Sequence, residues 1–514
     1  RIQTVSDGVR SWTYAYDALG NLASVTQPDA SRWVLALAGL TSSDPEIGDF
    51  GGCSHPGTYP TGNLVGSITH PSGAVGTFTT AFSSHVRSGT YGTCLLHGSG
   101  PFAQAYTPTP AKFVTQSLTK KELSGPGLPQ QVWTYGYTNP VVEPSKVICT
   151  TCDTRKTVEV IGPVSKQRYS FGANFQLHEG QQLSMDEMAL DGTLLRSTAT
   201  SYASPANKPY AEIMGSELWN GGADYMSNRR RPVEKTEVFQ QGQTFTLQAT
   251  GFDVFARPTT VTKSSSLGFS NAQATEYADN YSLWVLGQTS KLSVAGVEAQ
   301  RTVYNAQALP SDTYAFGKLQ QHHEYNTDGT LANSTDGRGN RTGYSNYKRG
   351  LPQNVSFADG KSASANVNDL GLITRFTNEA GTTTAYDYDT AGRLKLITPP
   401  SENGISVNAT SLTFESVANA EYDLPAGHWR QTVTTGNAKT VNYFDAFWRK
   451  VLTQTYDASN VSGTQRMQLF QYDADNRETY QSNPTASITG VNATNIYGTR
   501  TWYDALGRAT DVWG

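Results

Sequence analysis

Tyr325-Asn326-Thr327-Asp328-Gly329, Asn346-Tyr347-Lys348-Arg349-Gly350, Val367-Asn368-Asp369-Leu370-Gly371 and Tyr388-Asp389-Thr390-Ala391-Gly392 follow one another between His323 and Pro400, and their glycines stand 21 residues apart each time. A fixed period with recurring residue types marks a repeat architecture. The unit reads Tyr-Asp/Asn-x-x-Gly, most clearly at Tyr325 and Tyr388, and leads into a β-rich run such as Arg393-Leu394-Lys395-Leu396-Ile397-Thr398. A short polar side chain at the first position of a type I turn hydrogen-bonds the backbone ahead of it, and glycine at the fourth takes φ > 0 without a Cβ clash. That combination is the three-residue hairpin loop with a bulge. A 21-residue step then holds two strands of about 6 to 7 residues and two turns. The expected fold is all-β: a long antiparallel meander built from one hairpin per repeat.

Composition agrees. Charged residues make up 16% of the 514, aromatics 11%, and there are 48 glycines and 27 tyrosines. Many aromatics and turn formers with few charges suit a large β-protein better than a helical or disordered chain. Thirty-nine Lys and Arg against 43 Asp and Glu leave a net charge of -4. A general nucleic-acid binder would carry a basic excess instead. The longest obvious apolar run, Trp33 to Leu40, is far too short to span a bilayer. The chain starts Arg1-Ile2-Gln3 and stops after a turn unit at Trp513-Gly514, so both ends are expected to be cuts within a longer protein.

Outward from the tandem, the unit recurs in looser form. Tyr16-Asp17-Ala18-Leu19-Gly20 and Tyr503-Asp504-Ala505-Leu506-Gly507 are full copies. Phe252-Asp253-Val254-Phe255-Ala256 and Tyr304-Asn305-Ala306-Gln307-Ala308 carry alanine in the glycine place, Phe444 to Trp448 carries tryptophan, and Tyr472 to Asn476 carries asparagine. Asparagine tolerates the left-handed state; alanine and tryptophan pay roughly 1–2 kcal/mol there, so those turns are expected to change type. The candidate turn residues are Asp17, Gly20, Asn326, Gly329, Gly350, Asp369, Gly371, Asp389, Gly392, Asp504 and Gly507. Apolar residues recur two and five places after the turn glycine, as in Leu394 and Ile397, a spacing of opposite parity. A bulge, or a sheet covered on both sides, would reconcile it.

Five stretches follow: strands over 1–40, an irregular loop-rich β segment with cysteines over 41–130, a degenerate repeat sheet over 131–320, the tandem over 321–400 and further sheet over 401–514. Gln182 to Arg196 is the one expected helix, limited to about two turns by Gly192.

Together these ten units resemble the YD-repeat or RHS (rearrangement hot spot) family, of the bacterial, wall-associated-protein-like kind; Lys348-Arg349-Gly350-Leu351-Pro352 and Asn378-Glu379-Ala380-Gly381 match repeats of its bacterial members. The resemblance implies a continuous sheet that spirals into a hollow shell. In bacteria such shells enclose a C-terminal toxin, delivered to competing cells or to a host from a secreted or surface protein. Some members end in an Asp-Pro-x-Gly core with an aspartyl self-cleavage site. No such segment occurs here; Asp44-Pro45-Glu46-Ile47-Gly48 is spaced differently and lies at the other end. The implied role is a non-enzymatic wall whose partner is toxin cargo of the same parent chain, with a carbohydrate- or cell-surface-binding module as the alternative. A partial shell leaves strand edges unpaired, so poor solubility of this stretch alone is expected.

Chemistry-bearing patterns are few. No Gly-x-Ser-x-Gly elbow, Gly-x-x-x-x-Gly-Lys phosphate loop or His-Glu-x-x-His motif occurs, and no cofactor is expected. His322-His323-Glu324 is read as a solvated strand end, Arg229-Arg230-Arg231 beside Glu234 and Glu237 as a solvated loop, and Asp387 and Asp389 as turn residues first. Cys149-Thr150-Thr151-Cys152 has redox or zinc spacing, and Cys53-Ser54-His55 with Cys94-Leu95-Leu96-His97 could complete a metal site. The exported location implied by the resemblance favours disulfides instead, Cys53–Cys94 with Cys149–Cys152. Metal analysis of the purified chain is expected to find no stoichiometric zinc; one zinc per chain overturns the disulfide reading.

Overall fold

The computed structural model describes residues 1–41, 61–86, 88, 95–97, 104–106, 112–139, 155–174, 178–204, 208–211, 230–401 and 404–514. All four cysteines, and the Asp44-Pro45 segment, lie outside them. The described chain is one 35-stranded sheet plus a separate two-stranded hairpin, Leu95–His97 with Gln104–Tyr106. Within the large sheet, pairing is antiparallel and sequential from Thr4–Ser6 to Ala509–Trp513. Its one skip is Val75–Val86, which pairs Lys112–Gly125 across the small hairpin. Because strands alternate in direction, a 21-residue hairpin step brings every Tyr-Asp turn to the same rim.

The tandem region is a single layer. Between residues 310 and 400, Ala363 and Val367 are the only buried hydrophobic residues. Cross-strand pairs Val367↔Ile373, Ala365↔Phe376, Tyr386↔Ile397 and Tyr388↔Leu394 place the apolar side chains on one face. Ser364, Thr377 and Thr383 line the other, where the Thr377 and Thr383 hydroxyls meet at 2.7 Å. Opposed pairs of this kind contribute roughly 0.2–1 kcal/mol each, so the wall is held by many small terms.

Two places gain a second layer. The segments leading to Leu424, Ile488 and Val491 lie over Tyr443, Leu452, Met467, Leu469 and Tyr480. Full burial of a Leu or Met side chain stabilises by about 1.5–3 kcal/mol, so this region is the densest core. A smaller cluster joins Ala203, Tyr210, Ala249, Phe252 and Ala256.

The register explains the parity conflict in the sequence. Tyr388 pairs Leu394 while Asp387 pairs Leu396, so Lys395 is an extra residue; the same shift precedes Tyr16, Tyr304, Tyr325 and Val367. The bulge restores residues two and five after the glycine to one face. Three expectations are corrected. Gln182 to Arg196 is no helix: Gln182–Met188 and Leu194–Tyr202 are antiparallel strands, joined through Asp191-Gly192 with Gly192 at φ 92. Neighbouring strands on both sides offer pairing that outweighs a weak helical pattern. Ala256, Ala308 and Trp448 do not change turn type; they sit at φ 63, 60 and 58. Conversely, Lys348-Arg349-Gly350-Leu351 is a tight two-residue turn with Arg349 at φ 52 and Gly350 at φ 80, unlike the other tandem turns.

The sheet curls until its early rim meets its later one. Ser72 Oγ donates to the Ala446 carbonyl, 374 residues on, and Trp429 Nε1 donates to Pro71 O at 2.9 Å across 358 residues. The Ala446 amide donates to Pro126 O at 2.8 Å, and Arg393 Nη1 pairs with Asp29 Oδ2 at 3.1 Å. The turns at residues 27–31, 70–74 and 125–128 thus seat on those at residues 389–393, 422–428 and 445–449. Trp429→Ala empties a buried indole site at this seam and is expected to cost about 3–5 kcal/mol. Hydrogen exchange should then accelerate at residues 71–74 as well as at residues 429–435; acceleration confined to the latter contradicts the seam.

Candidate functional site: a ladder of capped turns along one rim

Most units close on their own polar side chain. Asp389 N–H donates to Arg393 O at 2.8 Å and Gly392 N–H to Asp389 O at 3.0 Å. Asp389 Oδ1 accepts the amides of Ala391 and Arg393, and Oδ2 accepts Arg393 Nε at 2.7 Å. The same set recurs with Asp253–Arg257, Asp445–Arg449, Asp473–Arg477 and Asp504–Arg508. Asn305 and Asn368 make the two amide bonds without the arginine, and Asn378 does the same at a turn on the opposite rim. The cap is what holds Ala256, Ala308 and Trp448 in the left-handed state: two hydrogen bonds, each contributing about 0.5–1.5 kcal/mol, offset a strain of similar size.

Neighbouring turns are then tied to one another. Most repeat tyrosines donate their hydroxyl to the carbonyl of the first strand residue after the preceding turn, whereas Tyr304 reaches Thr289 within the strand Val285–Val294. Tyr277 reaches Pro258, Tyr325 reaches Pro310, Tyr347 reaches Leu331, Tyr388 reaches Ile373 and Tyr472 reaches Lys450, at 2.6–3.0 Å. The arginine reaches forward. Arg257 stacks on Tyr277 at 4.3 Å and holds Asp279 through both terminal nitrogens. Arg449 stacks on Tyr472 and donates to Asp473 O, and Arg477 stacks on Tyr503 and donates to Asp504 O. Each cation–π contact adds about 0.5–2 kcal/mol.

Electrostatics follow from these contacts. Arg257 holds Asp279 down at about 2. At Asp389 and Asp504 burial pushes upward, but the hydrogen bonds from Arg393 and Arg508 outweigh it and leave both carboxyls below the ordinary value.

Most of the residues singled out in the sequence sit on this rim. Asp17 caps Asn21, Gly20 is at φ 85, and Gly329, Gly371, Gly392 and Gly507 lie between φ 79 and 86. Asn326 closes its turn through its backbone, while Asp328 accepts the Thr330 amide. Asp369 is not a cap: Asn368 takes that role, and Asp369 is an exposed partner of Lys348 at 2.9 Å. His322 bonds Asp312 at 2.7 Å and Glu324 pairs with Arg341, on the opposite face from His323. Among the described residues no three His, Cys, Asp or Glu side chains converge as a metal would require. Arg230 donates to Val254 O. A shallow hollow of about 290 Å³ over Ile373, Phe376, Tyr386, Tyr388 and Leu394 is open to solvent. The tyrosine hydroxyl bonds and the forward arginines escaped the sequence reading; the Arg recurring directly after the left-handed turn position, as at Arg257, Arg449 and Arg477, was their visible signal.

Removing Asp445, whose side chain is 1% exposed and pairs with Arg449, strands a buried cation and is expected to cost about 3–5 kcal/mol. Asp389→Ala at a more open copy should cost about 1–2 kcal/mol, as caps do. Urea midpoints of the two variants check this, and equal losses refute it. The lowered carboxyl of Asp279 contributes stability that is present above about pH 4 and lost as pH falls through about 2. Acid titration followed by circular dichroism should therefore show Asp279→Asn losing less than the parent between pH 4 and 2.

Residues 367–401 match the family described as RHS Repeat. No curated protein matches the sequence. Two solved structures share the fold: the crystal structure of TcdB2-TccC3-TEV, with TM-score 0.59 and 10% identity, and that of TcdB2-TccC3 without its hypervariable C-terminal region, with TM-score 0.58 and 9% identity. Each likeness covers 99% of this chain and 38% of the other, so the chain spans well under half the length of those proteins. A tandem in register, a matching family segment and a sheet that superposes over nearly its whole length agree: residues 367–401 are RHS-repeat sequence, and the sheet has the fold of those two solved structures.

Proposed function

We propose that this sheet is part of the wall of a container that encloses a toxin encoded at the C-terminal end of the same parent protein, and that the parent acts outside the cell that makes it. The observation that carries the reading is the single-layer wall between residues 310 and 400, curled so that distant rims lock together. A sheet that leaves both faces uncovered over ninety residues buries little for its own sake; enclosure gives that geometry a use. The likeness to TcdB2-TccC3, with a hypervariable C-terminal region named in one of the structures, supports the same reading. The segment itself is proposed to be non-enzymatic, because its recurring carboxylates and tyrosines are engaged in turn closure and strand-to-strand bonds. The adhesion alternative is weaker for the same reason: the repeat tyrosines give their hydroxyls to backbone carbonyls instead of leaving them for a glycan.

The test is limited proteolysis of the full parent protein. A C-terminal segment that resists protease until the wall is opened by Trp429→Ala, and is then degraded, is the expected result. A C-terminal segment cleaved at the same rate in the intact parent and in the variant contradicts enclosure.

A further inference from the structure

One hairpin on the Tyr-Asp rim is built longer than its neighbours. Tyr304, Tyr325, Tyr388, Tyr472 and Tyr503 each pair with the residue six positions on, across a closed turn, whereas Tyr277 pairs with Thr289, twelve positions on. The rim contacts of the unit survive this lengthening. Tyr277 still donates to Pro258 O, and Arg257 still reaches forward, here to both oxygens of Asp279. Asp279 Oδ1 also accepts the Gly287 amide at 2.8 Å, which closes the base of the hairpin where the other units end. Beyond that base Asn280 pairs with Val285, and the tip is Tyr281-Ser282-Leu283-Trp284.

The tip presents its apolar side chains to solvent. Tyr281 is 60% exposed, Leu283 51% and Trp284 72%, and Val254 on the adjoining turn is 57% exposed. The tip is nevertheless shaped: Asn280 Oδ1 accepts the Leu283 amide at 3.0 Å and the Ser282 hydroxyl at 2.8 Å, and Phe255 stacks on Tyr281 at 6.2 Å. Trp284 sits left-handed at φ 54, an uncommon state for a bulky residue. No residue from Asn280 to Ser290 is charged, and the Asp279 carboxylate at the base is paired with Arg257.

We infer that this tip docks on a lipid bilayer, entering the interfacial zone with Tyr281, Leu283 and Trp284. Tryptophan and tyrosine concentrate at that depth because each joins an apolar body to one polar hydrogen-bonding group. Size argues against a protein partner. A stable protein interface takes about 800 Å² and 20–30 residues from each side, whereas the tip and Val254 offer four side chains. A bilayer needs no such area, since interfacial binding scales with whatever apolar surface leaves the water. With no charge on the tip and a net charge of -4 on the chain, the attraction is apolar, and a zwitterionic surface suffices. The docking requires only an accessible rim and is independent of what the wall encloses.

Flotation of the whole chain with phosphatidylcholine vesicles tests this. The unaltered chain is expected to float, and vesicles with brominated acyl chains should quench part of its tryptophan emission. Trp284→Phe keeps a ring at the tip and should still float, without that quenching. Leu283→Ser combined with Trp284→Ser should lower partitioning about tenfold or more. Phe269→Ser removes a ring that is 74% exposed on the opposite rim and should leave partitioning unchanged. Five results overturn the inference: an unaltered chain that stays in solution, flotation only with anionic lipid, quenching that persists in Trp284→Phe, equal flotation of the double variant, or an equal loss in Phe269→Ser. A dimer in solution that the double variant abolishes, with no flotation of the unaltered chain, would assign the tip to a second copy instead.

Discussion

Turn closure by a single side chain is the constraint on which this wall depends. A carboxylate or amide at the first turn position accepts the amides two and four residues ahead, and that pair of bonds sets the direction in which the next strand leaves. Because strands alternate, the caps of the Tyr-Asp units align along one rim, and the tyrosine and arginine flanking them can reach the turns before and after. A wall one sheet thick has no interior to fix its curvature. The rim ladder supplies that control with hydrogen bonds and cation–π contacts of about a kcal/mol each, repeated from Tyr16 to Arg508.

The strength of the cap also accounts for what looks irregular. Left-handed alanine and tryptophan would ordinarily be excluded, yet Ala256, Ala308 and Trp448 are held there by Asp253, Asn305 and Asp445. Trp448 is then free to face His70 across the seam, a placement that a glycine could not provide. Two of the departures from the consensus, at Ala256 and Trp448, fall where a second layer covers the sheet or where one rim meets the other. Phe252 and Ala256 belong to a buried cluster, and the Asp445 turn lies under Gly127 and Ser72.

Much of this was legible in the residues. The 21-residue step, the alternation of aromatic and small polar residues, and the glycines gave the meander and its hairpins. The bulge was visible only as a parity conflict, since a sequence shows spacing but not which residue is squeezed out of register. The segment Gln182 to Arg196 misled because a weak helical spacing says nothing about the strands waiting on either side. The seam was invisible: Ser72 and Ala446 are ordinary residues, and only the accumulated curl of the intervening strands brings them together.

A cryo-EM reconstruction of the chain tests the account most directly. It predicts a curved wall one sheet thick along residues 310–400, with the turn at residues 70–74 seated on the turn at residues 445–449. Two sheets packed face to face along residues 310–400, or those two turns lying far apart, would contradict it.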